Sequence, residues 1–221
     1  MKLVRDLTGR FRERPHYELD ELEEECEQTA FTFLEERYGQ VLIPIPTNAL
    51  IVLVEQYTED LDLFADLSGE GANVQGVTEF FTDSKPRVRI ARELSKQTWR
   101  AHRLRTTLAH EYGHVRLHAP LWAQRGAPSG PHRCLRQTLL PLSTTTDWME
   151  WQAGYVSGAL LMPRSRVKLL VEAFLKDAGA KLPLALESEE ASELKQRMSV
   201  AFDVSHEAAG VRLLKLGHLN A

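Results

Sequence analysis

Apolar residues recur at the spacing of an α-helix in several stretches of the chain. Between Tyr17 and Tyr38 they return every three or four positions, and most of the residues between them are acidic. This pattern predicts a helix with one buried stripe and a solvated acidic face, and Gly39 is a suitable end for it. The same spacing predicts six more helices, at about residues 47–57, 104–118, 147–162, 164–178, 189–202 and 206–216.

Three shorter stretches have the character of strands. Leu61–Leu67 alternates apolar and acidic residues, as a half-buried strand does, and Val77–Thr82 and Arg87–Ala91 follow after a turn at Gly76. They predict a small antiparallel sheet directly before the helix at 104–118. The expected fold class is therefore α+β, with a mainly helical core, a small antiparallel sheet and a C-terminal helical module.

The pattern also divides the chain into three parts. Residues 1–40 form an N-terminal arm and the acidic helix, residues 41–180 form the core, and residues 181–221 contain a pair of helices like a helix-turn-helix. Within the core, residues 119–146 are rich in proline and glycine. They predict a long surface excursion with a short helix near Cys134–Leu139.

Composition disfavours several classes of protein. The chain has 221 residues, of which 43% are apolar and 26% charged, values that are typical of a soluble globular protein. Its formal net charge of −4 disfavours a general nucleic-acid binder. No apolar run approaches the roughly 20 residues that cross a bilayer, and the first residues lack the apolar core of a signal peptide. We expect a cytoplasmic protein without membrane contact.

The two cysteines do not form a recognisable pair. Cys26 and Cys134 lie far apart and no Cys-x-x-Cys is present, which disfavours a disulfide framework and a cysteine zinc site. His132 and Cys134 could bind a metal together, but an exposed loop that happens to contain both is the favoured interpretation.

The most informative motif is His-Glu-Tyr-Gly-His at residues 110–114. On a helix it places the imidazoles of His110 and His114 on one face, one turn apart, where both can bind one metal ion. Catalytic zinc takes three protein ligands and lowers the pKa of its bound water, so Glu111 beside it can act as general base. Gly113 costs helix stability, which indicates close approach by another backbone or by substrate. The alternative is an ordinary amphipathic helix with two solvated histidines.

The third ligand has to come from another element. Glu150 is the only carboxylate inside the helix at 147–162, and Asp147 can cap that helix. A metzincin would need a histidine at position 120, which is proline here. His118 is two turns from His110, too far to join the chelate. It either lines the site or contacts a ligand from behind, or it is simply a surface histidine.

Two runs resemble the ImmA/IrrE family of metallopeptidases. The first is Arg-Thr-Thr-Leu-Ala-His-Glu-Tyr-Gly-His-Val-Arg-Leu-His at 105–118, and the second is Glu-Trp-Gln-Ala-Gly-Tyr-Val-Ser-Gly-Ala-Leu-Leu-Met-Pro at 150–163. The resemblance covers about residues 40–217 and is most specific in these two runs. The chain departs from the family pattern at Gly154, where the family usually has Asn, and in the long 119–146 loop.

The resemblance implies a zincin-like core in which His110, His114 and Glu150 bind the metal and Glu111 is catalytic. It also implies that the protein cleaves a helix-turn-helix repressor and so controls a stress, phage or mobile-element response. Zinc is the expected metal, although two imidazoles and a carboxylate also suit manganese or iron.

Two other functions remain open from the sequence. The same fold could bind a repressor or antitoxin without cutting it, but a pure binder would not need Glu111. The C-terminal helices could bind DNA through Arg212, Lys215 and His206, but their acidic residues favour simple helix packing. His118 and Tyr155 are candidates for stabilising the oxyanion.

Overall fold

The computed structural model describes residues 1–71, 73–124, 132–137 and 147–220. It is mixed α+β and mainly helical. The helices are α1 (Leu19–Tyr38), α2 (Thr47–Glu55), α3 (Arg92–Lys96), α4 (Ala101–Leu117), α5 (Ala119–Gln124), α6 (Trp148–Leu161), α7 (Arg164–Ala178), α8 (Glu189–Phe202) and α9 (His206–Lys215). The strands are β1 (Lys2–Arg5), β2 (Glu13–His16), β3 (Asp60–Ala65), β4 (Val74–Phe80), β5 (Arg87–Ala91), β6 (His132–Gln137), β7 (Leu184–Ala185) and β8 (Leu219–Asn220).

Several predicted helix ends are confirmed. Helix α1 ends at Gly39, which adopts the left-handed conformation that terminates helices without a Cβ penalty. The carboxylate of Asp147 accepts a hydrogen bond from the Met149 amide at the start of α6. Ser205 caps α9 in the same way. None of the helices among the described residues is long and apolar enough to cross a membrane.

Helix α4 begins earlier than the sequence predicts. It starts at Ala101, three residues before the predicted start at Leu104, and no side chain caps it. The hydroxyl of Thr106 instead donates to the carbonyl of His102, 2.6 Å away, as threonines inside helices commonly do. Because the helix is longer, an extra turn lies before the His-Glu-Tyr-Gly-His motif.

The prediction of an antiparallel sheet is wrong in one strand. The strand order is β3-β5-β4-β6, and β3 pairs with β5 in parallel. Strand β5 returns antiparallel to β4 and lies between β3 and β4, so it runs in the same direction as β3. Residues 132–137, where the sequence suggested a short helix, form the fourth strand, antiparallel to β4. The rest of that suggested helix lies outside the described residues.

Two further pairings were not expected. The N-terminal arm forms a hairpin of β1 and β2, and β7 pairs in parallel with β8 near the end of the described chain. Apolar residues from all three predicted parts of the sequence pack in one buried cluster, which runs from Leu22 to Leu219. A smaller cluster combines Phe80, Trp122, Cys134, Trp148 and Met149.

A buried ion pair joins the first and last helices to α6. Arg212 in α9 donates two hydrogen bonds, each 2.6 Å long, to the carboxylate of Glu23 in α1, and these side chains are 1% and 3% exposed. The hydroxyl of Tyr155 in α6 donates to the same carboxylate at 2.5 Å. Glu23 therefore does not lie on a solvated acidic face. The guanidinium of Arg212 is therefore not available to bind nucleic acid. The Tyr155 hydroxyl donates to Glu23 and is not available to stabilise an oxyanion.

Glu23→Gln should destabilise the fold by about 3–5 kcal/mol, because it leaves the guanidinium of Arg212 buried without a counter-charge. Urea unfolding followed by circular dichroism measures this loss. The exposed neighbour variant Glu24→Gln should stay within about 0.5 kcal/mol of the wild type. Equal stability of the two variants would contradict the importance of the pair.

Candidate metal centre

Helices α4 and α6 cross at very short range, and Gly113 makes this possible. A Cβ atom at position 113 would lie 2.8 Å from the Cα of Ala153 and 3.2 Å from the Cβ of Val156. The predicted close approach of another backbone to Gly113 is therefore confirmed. Gly113 lies three residues after His110, and Ala153 lies three residues after Glu150. The crossing thus brings the carboxylate of Glu150 to the two imidazoles.

The three predicted ligands meet at one point. His110 Nε2 lies 3.2 Å from Glu150 Oε2, His114 Nε2 lies 3.2 Å from Glu150 Oε1, and the two Nε2 atoms are 3.1 Å apart. This group could hold a metal ion. Zinc binds nitrogen and oxygen at about 2.0 Å in tetrahedral geometry, which separates the donor atoms by about 3.3 Å. The observed separations are close to this value, so the donor set fits the ion.

The centre lies almost completely inside the protein. His114 is fully buried and His110 is 6% exposed, whereas the Glu150 side chain keeps 20% exposure. Burial alone would raise the pKa of Glu150, but hydrogen bonds with both imidazoles lower it strongly. Burial alone would lower the pKa of His114, but Cys134 and Glu150 beside it raise the pKa well above its usual value. The metal-free centre therefore binds a proton between the imidazoles and the carboxylate.

A relay of hydrogen bonds orients His114. Its Nδ1 lies 3.0 Å from Nδ1 of His118, and His118 Nε2 lies 3.0 Å from Oε1 of Gln152. Gln152 in turn donates to the carbonyl of Pro15 in the N-terminal hairpin, 3.1 Å away. Burial and the charge of His114 lower the pKa of His118, so His118 stays neutral and accepts from His114. Such partners fix the tautomer and ring orientation of a metal ligand.

His118 is thus a buried partner of a ligand and not a surface histidine. Gln152 was missed in the sequence because an amide in an apolar helix carries no signal of its own. Its spacing offers one hint, since it lies two residues after Glu150 on the same helix.

Glu111 faces the sheet at β4. Its side chain is fully buried, and Thr78 donates a 2.6 Å hydrogen bond to Oε2 of the carboxylate. A Cβ atom at Gly76 would collide with Oε1 of Glu111, so only glycine leaves room for the carboxylate there. The sequence analysis assigned Gly76 to a turn, whereas it lies inside β4. A glycine within a strand pattern often marks such a close approach.

Cys134 lies beside the centre and not in an exposed loop, so that interpretation is wrong. The thiol is buried, and Cys134 is paired directly opposite Thr78 across β4 and β6. Directly opposed residues of antiparallel strands project from the same face of the sheet, so Cys134 faces the centre together with Thr78. A hydrogen bond between Cys134 and His114 is among the interactions that raise the pKa of His114. The side chain of His132 lies outside the described residues.

Gly154 departs from the family pattern without disturbing this packing. Apart from its chain neighbours and its own helix backbone, no atom of the described residues lies within 4 Å of the Cβ position at Gly154. This position opens onto a groove of about 900 Å³, which Thr106 and Ser157 also line. The contacts that hold Glu150 in place therefore do not depend on the residue at 154.

Gly113→Ala should destabilise the fold by about 1–3 kcal/mol, because the new methyl group forces α4 and α6 apart. It should also weaken Zn²⁺ binding at least about tenfold, because Glu150 moves away from the imidazoles. Gly154→Ala is the matched control: it should leave Zn²⁺ affinity unchanged and stabilise the fold by up to about 1 kcal/mol, because alanine is the better helix former. Thermal unfolding and competition with a chromophoric chelator measure the two effects, and wild-type zinc affinity in Gly113→Ala would contradict the proposed role of the crossing.

Zinc uptake should strengthen as the pH rises, by about tenfold per pH unit, until the pH passes the raised pKa of His114. Below that pKa the imidazole carries a proton that the metal must displace. Cys134→Ala removes one of the groups that raise the pKa, so its affinity should level off at a lower pH. Chelator competition across the neutral and alkaline range measures both curves. Superimposable curves would show that Cys134 does not act on His114.

No family model matches the chain, and no curated protein is significantly similar to it.

Proposed function

We propose that this protein is a metal-dependent endopeptidase of the zincin-like type. The observation that carries the proposal is the convergence of His110, His114 and Glu150 on one point, with Glu111 as the residue next to the first ligand. The motif resemblance to the ImmA/IrrE family supports the same conclusion independently of the geometry. The chain has all four side chains that such a reaction requires.

Each protein group has a part in this chemistry. A zinc ion bound at the centre would polarise the peptide carbonyl and lower the pKa of a water molecule there. The carboxylate of Glu111 takes a proton from the attacking water and returns it to the nitrogen of the leaving amine. The hydrogen bond from Thr78 fixes the orientation of that carboxylate. His118 and Gln152 hold the ring of His114 in place for the metal.

Apolar groups limit the access of bulk water. Phe80 packs its ring 6.4 Å from that of His114, and Trp148 packs edge-on against His118 at 5.4 Å. Electrostatic interactions among the centre's charges are stronger in such surroundings than in water. Zinc is the metal we propose, because the donor separations suit tetrahedral coordination. Manganese or iron would also accept this donor set.

We further propose that the substrate is a protein, specifically a helix-turn-helix repressor. The groove beside the centre is large enough to hold several residues of a polypeptide. The family resemblance supports a repressor as the source of that polypeptide and a stress, phage or mobile-element response as the outcome. Such a role places the protein in the cytoplasm, where its substrate is.

Glu111→Gln should abolish proteolysis and keep the metal, because the amide cannot accept the proton while all three ligands remain. The test incubates the zinc-loaded protein with the repressor encoded beside its gene and follows fragments by mass spectrometry. Elemental analysis confirms that wild type and variant contain equal zinc.

The controls separate the enzyme from its alternatives. Wild type treated with a chelator should give no fragments, and added Zn²⁺ should restore them. Undiminished cleavage by Glu111→Gln would refute the mechanism. A stable complex between zinc-loaded wild type and the repressor, without fragments, would instead identify a regulator that binds its partner and does not cut it.

A further inference from the structure

The groove beside the candidate centre has the size of a binding site. Its volume is about 900 Å³, near the upper end of the roughly 300–1,000 Å³ that ligand sites occupy. Helices α4 and α6 form two of its sides, and β4 and the last helix, α9, line it as well. A space of this size can hold part of a polymer outside the reacting bond.

The groove is lined by residues one helical turn away from candidate ligands, and neither the three ligands nor Glu111 line it. Thr106 lines the groove one helical turn before His110, and Gly154 lines it one turn after Glu150. Gln75 lines it from β4, one residue before the glycine that faces Glu111. Helices α4 and α6 and strand β4 therefore each contribute at least one residue to the centre and a nearby residue to the groove.

The length of the groove corresponds to a short extended segment. Along α6 it runs from Gly154 to Leu161, seven residues and so about 10 Å. An extended chain advances about 3.3 Å per residue, so about three residues span this wall. A peptide whose carbonyl lies at the metal would thus place the next few residues on one side of the scissile bond in the groove.

The part of the groove nearest the centre suits a large apolar side chain. At Gly154 the space above the helix is open for at least 4 Å. The flanking hydroxyls already donate to helix carbonyls, Thr106 to His102 at 2.6 Å and Ser157 to Thr106 at 3.0 Å. A polar side chain would lose water there without gaining these donors, whereas an apolar one would gain from burial.

The outer part of the groove has apolar side chains among charged ones, which include Arg100, Arg103 and Glu207. Trp99 is 73% exposed and Val211 is 48% exposed, and both line the groove. Large exposed apolar side chains that border a cavity commonly mark interaction sites.

We propose that this groove binds the polypeptide substrate in extended form on one side of the scissile bond, and that the space over Gly154 is a pocket for a large apolar side chain within about three residues of the cut. This inference rests on the proposed peptidase function. It makes Gly154 a residue that determines specificity, because any larger side chain at 154 would fill the pocket from within.

The test compares cleavage preferences of wild type, Gly154→Leu and Ala178→Leu with a library of blocked decapeptides, each bond being identified by mass spectrometry. Leucine at 154 replaces a glycine inside a helix and meets open space, so the variant should fold and retain zinc. Ala178→Leu adds a leucine at an exposed position of α7 outside the groove and serves as the control.

Wild type and Ala178→Leu should enrich leucine and phenylalanine at one position near the cut by about tenfold. Gly154→Leu should lose that enrichment and prefer glycine or alanine there. An unchanged preference in Gly154→Leu would overturn the inference and leave the peptidase proposal intact. A uniform loss of all cleavage, with zinc retained, would also overturn the pocket assignment.

A binding measurement keeps the inference testable if no peptide is cleaved. Two fluorescein-labelled glycine–serine decapeptides, one with a central leucine and the other with a central alanine, are titrated with zinc-loaded protein and followed by anisotropy. The leucine peptide should bind wild type about tenfold more tightly, and Gly154→Leu should remove the difference. Equal binding of both peptides to wild type would refute the pocket, whereas absent cleavage with the expected binding would refute only the peptidase.

Discussion

The close crossing of α4 and α6 is the constraint on which the candidate centre depends. A Cβ atom at position 113 would lie 2.8 Å from the Cα of Ala153, so the missing side chain at Gly113 lets the two helices pack this closely. The imidazoles of His110 and His114 are fixed to each other by their spacing on one helix, whereas Glu150 is brought to them by this contact between the helices. The donor separations of 3.1–3.2 Å follow from that geometry.

The electrostatics of the centre explain why this arrangement favours a cation. Glu111 is fully buried and Glu150 is largely so, and burying carboxylates is costly unless opposite charges or hydrogen bonds accompany them. In the metal-free protein the pKa of His114 is raised, so a bound proton offsets part of this cost. A divalent ion would offset the cost of burying the carboxylates more completely. The energetics of folding are in this way connected to the proposed chemistry. A comparable compensation occurs away from the centre, where Arg212 neutralises Glu23.

Much of the helical framework could be predicted, and much of the sheet could not. The caps at Asp147 and Ser205 and the stop at Gly39 act through neighbouring backbone groups, so their effect is visible in a short stretch of sequence. The direction and order of the strands depend on pairings between residues far apart in the chain. Strand β6 was missed for that reason, because it gains its partners from β4 across more than fifty residues.

The sequence by itself determined the two imidazoles, the neighbouring Glu111 and the need for a close approach at Gly113, because helical periodicity fixes which residues share a face. It also singled out Glu150, but only the tertiary structure decided that this carboxylate reaches the histidines. The same holds for the bond from Thr78 to Glu111, the relay through Gln152 and the burial of Cys134. These contacts join elements that are distant in sequence, and their geometry is set by side-chain packing between helices and sheet, which no local pattern encodes.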